Sequence, residues 1–121
     1  MAPFFPSDRD RLLLAFANLA SYGIATRDAY GEHATEAHAA IAADLRLRHP
    51  NGLGAYAFWT APDDAASFDE YGRLTDELPL HIGGKHTAEA VRTALALAGV
   101  ELAIDGDDDL RALGTGTLTP G

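Results

Sequence analysis

The chain has 121 residues, a formal net charge of −9, no cysteine and 47% hydrophobic residues, which suits one domain whose core needs no staple. The missing cysteines exclude a disulfide framework, thiol nucleophiles and cysteine-ligated zinc, and no apolar run approaches the roughly 20 residues of a membrane span. Residues 1–50 carry six acids and five arginines, whereas residues 51–121 carry twelve acids against four bases; such a field repels phosphate backbones, argues against direct nucleic-acid binding and suits a basic partner or a cation, unless it serves solubility alone.

The start, "MAPFFPSDRD", lacks both a basic leader and a sustained apolar stretch, so a soluble cytoplasmic protein is expected. "SDRDRLLLAFANLASYG" predicts a helix with Ser7 as N-cap, Asp8 and Asp10 in the first turn and Gly23 as C-terminal cap. Leu12, Phe16 and Leu19 recur at helical spacing along one face. After a short extended "GIAT", the alanine-rich "GEHATEAHAAIAADLRLRH" predicts a second helix that stops before Pro50. Its weak apolar stripe places it at the margin of a sheet.

"GAYAFWT" alternates as a strand, with Tyr56, Phe58 and Thr60 on one face and Ala55, Ala57 and Trp59 on the other. Pro62 suits an opening helical turn, and "DDAASFDEYGRL" predicts a short helix. "LPLHIGG" puts Leu78, Leu80 and Ile82 on one side of a strand and His81 on the other. "HTAEAVRTALALAG" predicts a helix with Thr87 as cap and Gly99 at its end. "VELAI" is a third strand with Val100, Leu102 and Ile104 inward and Glu101 outward, followed by a final turn or short helix and a frayed tail over 114–121. The expected fold is α+β, or a small α/β, with a three- or four-stranded sheet, helices mainly on one face and two helices at the N-terminus. The other face would be open and carry Trp59, His81 and Glu101.

Few motifs carry chemistry. His33 and His38 lie five residues apart, about 140° around a helix, so they do not converge, and His33 with Glu36 falls short of the ligands that a metal needs. "DGDDDL" begins like a calcium loop, but Leu110 stands where that loop needs glycine and Gly116 where it needs glutamate, which favours a plain turn. "GGKHT" could cradle an anion with Lys85, yet Pro79 stands where a phosphate-binding loop has its first glycine. Asp63 and Asp64 are neighbours that point apart, Asp69 and Arg73 suit a surface ion pair, and no serine lies in a nucleophile elbow. If their strands were adjacent, His81 and Glu101 could hydrogen-bond as a cross-strand pair or as a weak general base.

The stretches "LASYGIAT", "GAYAFWTAPDDAASFDEYGRLTDELPLHIGG" and "ALALAGVELAIDGD", covering roughly residues 11 to 107, resemble the DUF6891 family of small bacterial proteins. That resemblance implies an α/β layering and matches Asp63 to the family's aspartate. It implies no activity. The chain differs from the family's pattern at Phe58-Trp59, Pro62-Asp63 and Ile104.

No catalytic constellation, metal or cofactor is expected. The leading expectation is a non-enzymatic acidic domain that binds a basic protein, in the manner of an immunity protein or antitoxin. Trp59 and Tyr71 would be its aromatic anchors, with Asp63, Asp64, Asp69, Glu70, Asp76 and Glu77 as the steering rim. The alternative is a small-molecule or cation-binding domain, a hydrolase included, built on His81, Glu101, Trp59 and Asp105. A homo-oligomer is compatible with either.

Overall fold

A computed structural model describes residues 7–52, 54–84, 87–104 and 110–113, with backbone alone at 101–104, 110, 111 and 113. Helix α1 (Asp8–Ser21) opens on the capping box that the sequence predicts: the Ser7 hydroxyl accepts from Asp10 N–H at 3.1 Å, and the Asp10 carboxylate accepts from Ser7 N–H at 3.1 Å. It closes at Gly23, whose φ of +86° favours glycine, with Ile24 N–H donating to the Leu19 carbonyl. The extended "GIAT" becomes β1 (Ala25–Arg27), followed by α2 (Ala34–Arg48), β2 (Tyr56–Phe58), α3 (Ala61–Ser67) and β3 (Leu78–Gly83). Helix α4 (Thr87–Leu97) ends as α1 does, with Gly99 at φ +81° and Val100 N–H donating to the Leu95 carbonyl. The chain then forms a hairpin of β4 (Glu101–Ile104) and β5 (Leu110–Leu113).

The fold is α+β. Strands β1 and β2 pair in parallel and β3 joins antiparallel, giving a mixed three-stranded unit that β5 and β4 extend in the order β1-β2-β3-β5-β4. The larger core lies between the sheet and helices α1 and α4, where Leu12, Phe16 and Leu19 meet Ala57, Leu78, Leu80, Val91 and Leu95. A smaller core lies on the opposite face, where Ala37 and Ile41 of α2 cover Tyr56 and Phe58. Leu78, Leu80 and Ile82 therefore do face the main helical layer.

Four expectations are corrected. Helix α2 covers one sheet face instead of sitting at the margin, because Ala37 and Ile41, small and spaced at i, i+4, let it approach the aromatic side of β2. Trp59 is 0% exposed and belongs to the main core, so it is no surface anchor. Residues 110–113 form a strand, not a turn or helix, because the slot between β3 and β4 supplies ladder partners on both sides. For the same reason β3 and β4 are not neighbours, and His81 and Glu101 cannot form an adjacent cross-strand pair. The Glu101 side chain, Lys85, Asp105, the aspartates at 107–109 and the tail 114–121 lie outside the described residues.

Candidate functional site

The acidic stretch after β2 divides into carboxylates that hold the chain and carboxylates that face solvent. Thr60 caps α3, its hydroxyl accepting from Asp63 N–H at 3.3 Å and donating to the Asp63 carboxylate at 3.0 Å. Asp64 accepts from the Trp59 indole at 3.0 Å and from the Arg9 guanidinium, which also reaches Asp28 at 3.4 Å. A buried indole N–H needs such an acceptor, and the Arg9 guanidinium covers the Trp59 and Phe68 rings at 6.0 and 5.4 Å. Asp63 and Asp64 are thus structural groups, not a steering rim.

Helix α3 stops at Ser67, short of the expected end, because Phe68 bridges to Leu74 and the chain between them turns back. Asp69 organises that turn: its carboxylate accepts from Tyr71 N–H at 2.8 Å, from Arg73 N–H at 2.9 Å and from the Arg73 guanidinium at 2.9 Å. These donors, the Arg73 amide foremost, hold the carboxyl below its ordinary 3.8. The expected Asp69–Arg73 ion pair is present, though in a turn, not on a helix. From behind, the buried Asp8 carboxylate accepts from Leu74 N–H at 2.8 Å, and Arg9 N–H donates to the Gly72 carbonyl at 2.9 Å. On this pinned loop Tyr71 is 69% exposed, and Glu70, Asp76 and Glu77 are exposed beside it in sequence.

His81 enters a different setting from the one expected. Its cross-strand partner is Phe58, and Trp59 lies in the core on the opposite face of the sheet. Around it stand His38 of α2, whose ring is 5.7 Å from the His81 ring, and Phe58, 5.0 Å from each imidazole. His38 Nδ1 shares a 2.6 Å hydrogen bond with the Tyr56 hydroxyl, and burial raises the pKa of that phenol above its ordinary value. The Tyr56 ring lies over Gly83, its ladder partner, so closely that a β-carbon there would run into the ring. The sequence gave one usable signal for His38, its place beside Ala37 and one turn before Ile41 on the stripe that α2 buries. Among the described residues no group of three or more His, Asp or Glu could hold a metal ion.

A third feature had no clear signal in the sequence. Between α1 and α4 runs a groove of about 540 Å³ lined in part by Asn18, Leu19, Tyr22, Glu89, Thr93 and Leu97. Tyr22 is 80% and Leu97 79% exposed. No helix among the described residues is long and apolar enough to cross a membrane. Comparison of the chain with family models, curated proteins and solved structures returned no match.

Proposed function

We propose that the chain is a non-enzymatic, cytoplasmic protein-binding domain that engages a basic partner, in the manner of an immunity protein or antitoxin. The observation that carries this reading is the loop 69–77: an exposed tyrosine and three exposed acids on a backbone held in place by Asp8 and Asp69. A pre-ordered loop loses little conformational entropy on binding, and a negative surface speeds encounter with a positive one. Tyr71 replaces Trp59 as the aromatic contact of this surface. The resemblance to the DUF6891 family supports the layering and adds nothing on activity.

The test is a pull-down from the native host eluted by a salt gradient, followed by association kinetics of the recovered protein. Reversing Glu70 and Asp76 to lysine should slow association by about tenfold at low salt and flatten its salt dependence. Unchanged rates would remove the acidic loop from the interface.

A second reading, a small-molecule site around His81, is favoured by one observation, the short His38–Tyr56 hydrogen bond beside the half-buried His81 ring. Ligand screening by thermal shift checks it: a ligand of this site raises Tm in the native chain and not in the His38→Ala, His81→Ala variant.

A further inference from the structure

We infer that the groove between α1 and α4 docks the apolar face of a basic amphipathic helix of the partner; this rests on the protein-binding reading and names a second contact for it. With Trp59 inside the core, an apolar anchor point must lie elsewhere. Of the five large hydrophobic side chains exposed among the described residues, Leu14, Tyr22 and Leu97 belong to α1, its C-cap and α4. Leu14, Asn18 and Tyr22 follow one another at i, i+4, i+8, so α1 offers a continuous stripe beside the groove. Along α4 the lining runs from Glu89 to Leu97, eight residues or about 12 Å of helix. That length matches the i, i+4, i+7 anchors of a helix laid in a groove.

Charge selects among occupants. Glu89 is the ionisable carboxylate of the lining, and the chain as a whole carries −9. A second copy would bring a like charge against it, and an anionic membrane surface or nucleic acid would be repelled. The segments 1–6 and 114–121 contain no lysine or arginine to meet Glu89. A partner helix with apolar residues on one face and lysines or arginines at its border satisfies both the walls and the carboxylate.

The test uses the full chain, isotopically labelled, and an 18-residue leucine–lysine amphipathic helix as probe, with a leucine–glutamate peptide as control, in about 0.3 M salt to screen exposed charges. Amide shifts should concentrate at Asn18, Tyr22, Thr93 and Leu97, and the control peptide should produce none. The Tyr22→Ser, Leu97→Ser variant, both sites being largely exposed, should keep the native Tm and bind the probe about tenfold more weakly. Shifts at Glu70, Tyr71 and Asp76 with undiminished affinity of the variant would overturn the groove and leave the acidic-loop reading standing. Absence of any shift at α1 and α4, or concentration-dependent shifts there without peptide, would also overturn it, the latter in favour of self-association. The partner's association kinetics with the Glu70, Asp76 variant test the parent reading separately.

Discussion

Asp69 shows how a single carboxylate can organise a surface without being the surface. Its oxygens accept two backbone amides and one guanidinium, so the ionised form is favoured in the folded state. The sign follows directly. A carboxyl held below its unfolded value stabilises the fold above that unfolded value and loses this contribution as pH falls through the folded one. Asp69 should therefore titrate below 3.8, and the amide resonances of Tyr71 and Arg73 should move with it. A carboxyl resonance titrating at or above the ordinary value would show that the turn is not held in this way. Gly83 makes a steric case of the same scale: the Tyr56 ring occupies the space of a side chain, so Gly83→Ala should destabilise by about 1–3 kcal/mol in urea unfolding. A neutral result would mean that the ring moves freely aside.

At the scale of elements, Asp8 is the tie between α1 and the loop before β3. It is 6% exposed and accepts from Leu74 N–H; removing the carboxylate in Asp8→Ala leaves a buried amide unpaired, at a cost of about 1–3 kcal/mol. Hydrogen exchange should locate the loss at residues 69–74 as well as in the first turn of α1. If protection of the loop is unchanged, the bond is not what holds it. The helix ends show what local sequence specifies, since Ser7 with Asp10, Gly23 and Gly99 act through groups within six residues of themselves. Thr60 and Asp63 at i, i+3 were legible in the same way, although the pattern first suggests only surface acids. Placement across the sheet was not. The alternation in "GAYAFWT" assumes one wet face, whereas β2 lies between two partner strands and under helices on both faces, as its run without a charged residue suggests. "LRAL" suits a helix by propensity and becomes a strand because two neighbouring strands offer it pairing. The candidate site divided along the same line: Tyr71 and its acids were readable, and the groove, made by two helices far apart in sequence, was not.

For the whole molecule the decisive quantity is the balance between local ion pairs and the overall field. Arg9, Arg27, Arg48 and Arg73 each lie beside an aspartate, and all these pairs are at least partly exposed. Exposed pairs of this kind contribute about 0–1 kcal/mol each. Against them stands a net −9, concentrated in residues 51–121, whose self-repulsion disfavours the compact state and is screened once the Debye length falls to about 8 Å near 0.15 M salt. Repulsion should win, so Tm should rise as sodium chloride increases from about 0.01 to 0.15 M. Screening the same field should slow capture of a basic partner, because steering acts at long range. Stability and association rate are thus expected to respond to salt in opposite directions. A Tm that falls over this range would mean that the arginine pairs outweigh the repulsion. An association rate indifferent to salt would assign the acids to solubility and leave the apolar groove to supply recognition.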